Sequence, residues 1–157
     1  METKSNFKQE SISILVEIRH LVSEHLKVQK SVFDSSVRPG IRIPFFSKKI
    51  DFKSLYETNK KIQNEVNKII KRMQNDKKEL NINPFIFGGI REYALLFHNS
   101  CDKLSQIALA LHLDSKKQKK LTNEEYNKLV SEYRLMENSR LQKGTTIQKI
   151  AYMLAED

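Results

Sequence analysis

Apolar side chains recur every three or four residues along most of this chain, which is the period of an amphipathic α-helix. The first such stretch runs from Asn6 to about Val32. The second follows Asp51, a residue suited to capping a helix, and continues to about Leu80. A third begins at Asn83-Pro84, since asparagine caps helices well and proline is tolerated at the first helical position. The pattern therefore predicts three helices before residue 115.

These predicted helices differ in the width of their apolar faces. The third has the broadest face, typical of a core helix, which consists of Ile90, Ala94, Phe97, Cys101, Leu104, Ile107, Ala108 and Leu111. The first has a stripe of Ile12, Leu15, Ile18, Leu21, Val22, Leu26 and Val28. The second has a narrow seam of Leu55, Ile62, Val66, Ile69, Met73 and Leu80. The two narrower stripes predict packing against another helix or another subunit.

The C-terminal part begins after Leu113-Asp114-Ser115, where the third helix is predicted to stop. Thr122 and Glu125 form a capping-box pattern that predicts a fourth helix. Gly144 is predicted to end that helix, and a short fifth helix is predicted to follow from Thr145 or Thr146. We therefore expect an all-α bundle of four to five helices with long central helices, forming one domain over residues 1–157. Residues 122–157 would be its helical tail, and the protein would be oligomeric.

Residues 34–50 interrupt the helical pattern with two prolines and a glycine, which predicts a loop or extended arm. Its basic residues flank Phe45-Phe46, an arrangement that suits tracking of a nucleic-acid strand. The alternative is that the aromatic rings pack on the core while the arginines stay in water.

Composition limits the classes of protein that this chain can belong to. With 39% hydrophobic and 30% charged residues, a chain of 157 residues has enough apolar surface for one globular domain. One cysteine cannot form an internal disulfide, and the four histidines lack zinc-ligand spacing. No segment resembles a signal peptide or a membrane span. We therefore expect a cytoplasmic protein without metal or cofactor.

The net charge of +9 is concentrated between Lys27 and Lys78, a stretch that contains 14 basic and five acidic side chains. Such local excess favours a polyanionic partner, because phosphate contacts release condensed counterions. The alternative is that lysines only keep the helices soluble. The candidate nucleic-acid-binding residues are Arg38, Arg42, Lys48, Lys49, Lys60, Lys61, Lys68, Lys71, Arg72, Lys116, Lys117, Lys119 and Lys120.

Two pairs of residues are candidates for catalysis. Arg91 with His98, or Arg19 with His25, lie at a spacing similar to that used by helical ribonucleases of the HEPN superfamily. In those enzymes, such a pair stabilises the charge of the RNA phosphate and takes part in proton transfer. The chain contains no glycine-rich phosphate loop and no nucleophile elbow. We therefore predict that the protein is not an enzyme, with a metal-independent ribonuclease or toxin as the alternative.

The segment from Leu104 to Leu121 has the outline of a helix, a tight turn and a short basic helix. Its second part has lysines but, apart from Gln118, none of the side chains that read bases. The segment therefore predicts phosphate contact rather than sequence readout.

Residues 52–121 resemble one class of terminase small subunits from tailed phages. The likeness consists of Tyr56 on the preceding helix, Asn83-Pro84 opening a helix, and then Leu104, Ile107, Ala108, Leu111, Leu113, a basic run and Leu121. The chain has His112 where that family has glycine and Asp114-Ser115 where it has threonine-proline, and it lacks the family's N-terminal tryptophan.

This resemblance implies a non-catalytic, ring-forming subunit that recognises viral double-stranded DNA in the cytoplasm of a bacterial host cell. Such a subunit delivers the DNA to a large terminase subunit, which carries the ATPase and nuclease activities. The residues themselves also leave open a third class, a helical regulator or inhibitor that binds another protein.

Overall fold

The computed structural model describes residues 2–34, 50–75 and 83–156 and shows four long helices there. They are α1 (Glu2–Phe33), α2 (Phe52–Asn75), α3 (Pro84–Ser115) and α4 (Asn123–Glu156). Within these ranges all regular structure is helical, which confirms the all-α prediction. Over the same residues, no helix combines the length and apolarity needed to cross a membrane.

Adjacent helices run antiparallel, because rising residue numbers on one helix meet falling numbers on the next. The contacts that show this are Glu17–Arg72 and His25–Asn59 for α1–α2, Asn59–Ser105 and Gln63–Asp102 for α2–α3, and Glu92–Lys143 and Lys103–Glu132 for α3–α4. The fold is thus an up-down-up-down bundle. The C-termini of α1 and α3 and the N-termini of α2 and α4 share one end, which we call the upper end.

The predicted caps at Asp51, Asn83 and Thr122 are present, whereas α1 begins at Glu2 rather than at Asn6. Asp51 accepts a hydrogen bond from the backbone N–H of Ser54 at 3.0 Å, and Asn83 accepts one from Ile86 at 3.2 Å. Each side-chain oxygen satisfies a backbone donor that has no partner within the helix.

The centre of the core is the predicted face of α3. All eight residues of that face are buried, and seven of them have no exposed surface, because α2, α4 and the upper part of α1 pack around it. A helix with a broad and uninterrupted apolar face is stable only when that face is buried in the interior.

The prediction for α1 is wrong in part. Ile12 and Leu26 are exposed, whereas the polar residues Ser11 and His25 are buried. The inward row consists of Phe7, Ser11, Ile14, Ile18, Leu21, His25, Val28 and Val32. It has a regular heptad spacing, but two of its positions are polar. The apolar residues beside it form a second face, which reaches solvent.

The predicted helix stop at Gly144 is also wrong, since α4 continues through it to Glu156. A glycine inside a helix costs only about 1 kcal/mol relative to alanine. Beyond it, Ile150 and Leu154 are buried against the rest of the bundle, and their burial offsets that cost. The described residues therefore contain four helices rather than five.

A close contact between α3 and α4 occurs at Gly89, where a Cβ atom would lie 2.6 Å from Cδ1 of the buried Ile150. The neighbouring Gly88 has nothing within 4 Å of the same position. We expect Gly88→Ala to stabilise the protein by about 0.5–1 kcal/mol through helix propensity. Gly89→Ala should destabilise it by about 1–2 kcal/mol, because overpacking exceeds the same gain. Urea unfolding followed by circular dichroism measures both; equal shifts of the same sign would contradict this contact.

Candidate functional site

The lysine loop, residues 116–120, lies at the upper end between α3 and α4. Its five residues are all exposed, and four of them are lysines: Lys116, Lys117, Lys119 and Lys120. Among the described residues, none of these four ammonium groups has a carboxylate within salt-bridge distance. The loop therefore presents four unneutralised charges to solvent.

The backbone of the lysine loop is ordered by a Schellman motif at the C-terminus of α3. The N–H of Gln118 donates to the carbonyl of Leu113 at 2.9 Å, and the N–H of Lys117 donates to Asp114 at 3.0 Å. Lys117 has φ of 56° and thus occupies the left-handed position that glycine usually takes. A lysine there costs about 1 kcal/mol in backbone strain. Packing does not explain this choice of residue, since Lys117 is exposed.

Two further contacts hold the far side of the loop. Asp114 Oδ1 accepts a hydrogen bond from the N–H of Leu121 at 2.9 Å, and the Leu121 side chain is buried. Thr122 then forms the predicted capping box, donating its N–H to Glu125 Oε2 at 3.0 Å and accepting the N–H of Glu125 at 3.2 Å. The backbone N–H and the hydroxyl of Thr122 both donate to the Glu125 carboxylate, and these two bonds lower its pKa below the usual 4.5. The four lysines are thus displayed on a defined backbone.

This geometry contradicts the helix-turn-helix interpretation of residues 104–121. Residues 116–122 form a loop and contain no second basic helix. The end of α3 is instead turned directly into α4 by the Schellman motif and Asp114. This segment therefore contains no recognition helix. Phosphate contact by the lysines needs no such helix and stays a prediction.

The basic residues predicted on α2 divide into two groups. Lys60 lies 3.8 Å from Asp102, Lys68 bonds Glu65 at 2.6 Å, and Arg72 joins two acids of α1 at 3.0–3.1 Å. These three charges are largely neutralised, and Arg72 links α1 to α2. Lys61 and Lys71 are exposed and, in the described structure, have no salt bridge.

The remaining predicted residues, Arg38, Arg42, Lys48 and Lys49, lie outside the described residues. The described chain stops at Asp34 and resumes at Ile50, and both positions belong to the upper end of the bundle.

The two Arg–His pairs differ in how accessible they are to solvent. Arg19 is exposed while His25 is fully buried, so this pair does not share an accessible cleft. Arg91 and His98 are both half-buried and lie two helical turns apart on one face, roughly 10 Å along the axis of α3. His98 Nε2 is 3.4 Å from the Gln63 amide nitrogen. Only the second pair retains the geometry of the ribonuclease hypothesis.

His25 belongs instead to a buried polar network that connects all four helices. The Asn59 amide nitrogen donates to the Cys101 carbonyl at 2.6 Å and to Ser105 Oγ at 2.8 Å. Its oxygen therefore faces His25 Nδ1, at 3.0 Å, and must accept a hydrogen bond from that N–H group. The other imidazole nitrogen, Nε2, lies 3.2 Å from the Tyr133 hydroxyl.

The same network contains a buried ion pair on α4. Glu137 Oε1 accepts hydrogen bonds from two nitrogens of Arg140, whose Nη1 also donates to the Tyr93 hydroxyl at 2.6 Å. Glu137 Oε2 lies 3.8 Å from His25 Nε2. Burial alone raises the pKa of Glu137, but His25 and Arg140 outweigh it and lower the pKa from 4.5 to about 2.

The network is closed to solvent and is therefore a structural element rather than a substrate site. His25 has no exposed surface, and Glu137 and Arg140 are also buried. Burial is the main cause that raises the pKa of the Cys101 thiol, which stays protonated and unreactive at neutral pH. Over the described residues, no group of three His, Cys, Asp or Glu side chains could hold a metal ion.

Several residues of these sites were missed by the sequence analysis. Asn59, Glu137 and Arg140 occupy core positions that hydrophobicity does not mark, although Glu137 and Arg140 continue the spacing of Tyr126, Val130 and Tyr133. That uninterrupted row of three- and four-residue steps was the signal that could have identified them.

Comparison with known proteins adds no family to this description. No family model matches the chain, and neither a curated protein nor a solved structure matches it.

Proposed function

We propose that this protein is a non-catalytic, duplex-DNA-binding protein that contacts phosphates through the lysine loop. The observation that carries the proposal is the display of four unneutralised lysines on a backbone held by a Schellman motif and a capping box. The resemblance to terminase small subunits supports a more specific form. In that form the protein recognises viral DNA in a bacterial host cell and delivers it to a large terminase subunit.

Phosphate contact is the mode of binding that this loop favours. Lysine is a flexible point charge, suited to phosphates but not to bidentate recognition of bases. The loop is also only five residues long, so it has no helix or strand to insert into a groove. Binding should therefore depend strongly on salt and weakly on sequence.

The salt dependence of DNA binding tests this proposal. Each lysine that contacts a phosphate contributes about 0.9 to the slope of log K against log salt concentration. We expect Lys117→Gln/Lys120→Gln to reduce that slope by about 2. The matched control, Lys8→Gln/Lys149→Gln, removes the same charge near the other end of the bundle. Fluorescence anisotropy with a labelled duplex measures both; equal slopes for the two variants would reject the lysine loop as the contact.

Lys117→Gly should change stability and DNA binding in opposite directions. Glycine relieves the left-handed strain and should raise the free energy of unfolding by about 1 kcal/mol. It also removes one phosphate contact, so the salt slope should fall by about 1. The control is Lys116→Gly, where φ is −90° and no strain is relieved. If Lys117→Gly fails to stabilise the protein, the conformational part of this argument is wrong.

A homo-oligomer is part of the same proposal, and the support for it is the second apolar face of α1. Ile12 and Val16 are 40% and 63% exposed, beside an open apolar groove of about 670 Å³ between α1 and α4. A second copy could cover this surface, and in the specific form of the proposal the copies form a ring. Light scattering of wild type and Val16→Glu tests this; a wild-type monomer would contradict it.

The ribonuclease alternative is favoured only by the shared face of Arg91 and His98. If it holds, purified protein cleaves single-stranded RNA without metal, and His98→Ala abolishes the cleavage. RNA that stays intact with wild-type protein would exclude this activity.

A further inference from the structure

A second groove lies beside the lysine loop, between the last turns of α3 and the first turns of α4. It has a volume of about 390 Å³. Its α3 wall consists of Gln106, Leu109, Ala110 and Leu113, and its α4 wall of Glu125, Lys128, Leu129 and Glu132. Both walls thus repeat the spacing i, i+3, i+4, i+7. We call this surface the α3–α4 groove.

The floor of the α3–α4 groove is apolar and reaches solvent. Leu109 is 37% exposed, Leu113 and Leu129 are half-buried, and Leu121 closes the upper end. Two antiparallel walls with helical spacing form a channel into which the side-chain ridge of a third helix can pack. Seven residues of helix cover roughly 10 Å, so the groove accommodates about two turns.

The charged residues on the rim of the groove determine whether a positively or a negatively charged partner can bind there. Of its two carboxylates, Glu132 forms a salt bridge with Lys103 at 2.8 Å, whereas Glu125 accepts hydrogen bonds from the uncharged Thr122 and keeps its negative charge. Lys119, Lys120 and Lys128 have no salt bridge within the ranges that the structure describes. Three lysines against one uncompensated carboxylate leave the rim with a net positive charge, above a floor of leucines.

We propose that the α3–α4 groove binds about two turns of an acidic amphipathic helix from a partner protein. Leucine or similar residues of that helix would fill the floor, and its glutamates or aspartates would meet the three free lysines. DNA is a poorer occupant, because a phosphodiester backbone has no apolar ridge with which to cover the leucines. Since Lys119 and Lys120 also belong to the lysine loop, the helix and DNA would compete for the protein.

A labelled 14-residue peptide tests the proposal, with leucine at i, i+3, i+4 and i+7 of two turns and glutamate elsewhere. We expect saturable binding to the full chain in fluorescence anisotropy. A peptide with lysine in place of glutamate, or with serine in place of leucine, should bind about tenfold more weakly or less. Equal binding of the serine peptide would show a purely electrostatic surface and overturn the proposal. Tighter binding of decanoate than of the peptide would do so as well, in favour of a small amphiphile.

Variants of the groove separate this inference from DNA binding. Leu109→Asn and Lys128→Glu should each raise the Kd of the acidic peptide about tenfold. The matched control is Leu95→Asn, since Leu95 is a similarly exposed leucine of α3 outside the groove. Leu109→Asn should leave the salt slope of DNA binding unchanged, so either proposal can fail alone. Peptide binding that Leu109→Asn and Leu95→Asn affect equally would reject the groove as the site.

Discussion

Arg140→Met should be among the most destabilising single substitutions in this protein, with a loss of about 3–5 kcal/mol in the free energy of unfolding. The substitution removes the guanidinium that donates two hydrogen bonds to Glu137 and one to Tyr93. Glu137 stays buried, so its carboxylate would remain in the interior without its main counter-charge. Leaving one charge of a buried pair uncompensated costs far more than the net contribution of the intact pair.

The control for Arg140→Met is the double variant Glu137→Leu/Arg140→Met. It removes both charges and leaves apolar side chains of similar size, so it should recover at least half of the lost stability. Urea denaturation of wild type, both single variants and the double variant gives the coupling energy directly. If the double variant is as unstable as Arg140→Met, packing around Arg140 and not the ion pair causes the loss.

The buried polar network also explains which parts of the fold could be predicted from sequence. The face of α3 was predicted completely, because its apolar period is broad and contains no polar interruption. The inward row of α1 was misassigned, because Ser11 and His25 occupy it while Ile12 and Leu26 do not. Hydrophobicity cannot assign a polar residue to the core when its hydrogen-bond partners lie on other helices. For His25 these partners are Asn59 and Tyr133, 34 and 108 residues away.

The candidate site shows the same division between local and distant information. The start and end of the lysine loop were predicted from local signals, the end of the apolar period at Leu113 and the capping box at Thr122. By contrast, sequence could not show that Arg72 is neutralised, since its acidic partners, Glu10 and Glu17, lie on α1. Charge density along a chain thus overestimates a binding surface wherever charges pair between helices.

A prominent acid dependence of stability should come from Glu137. Its pKa is about 2 in the folded protein and 4.5 as the ordinary value, because His25 and Arg140 stabilise the charged form more than burial opposes it. A folded pKa below the unfolded one means that the group stabilises the protein fully above pH 4.5. That contribution is lost as the pH falls through about 2. It corresponds to about 3 kcal/mol.

The measurement is the free energy of unfolding in urea from pH 6 to pH 2, for wild type and for Glu137→Gln. Glutamine keeps the shape of the side chain but cannot titrate, so the variant should be less stable at pH 6 and lose less on acidification. Exposed carboxylates such as Glu125 contribute equally to both proteins and cancel in the difference. We therefore expect the gap between the two proteins to narrow by about 3 kcal/mol between pH 5 and pH 2. A gap that stays constant over this range would mean that Glu137 does not carry its charge in the folded core, and the ion pair with Arg140 would have to be reassigned as a neutral hydrogen bond.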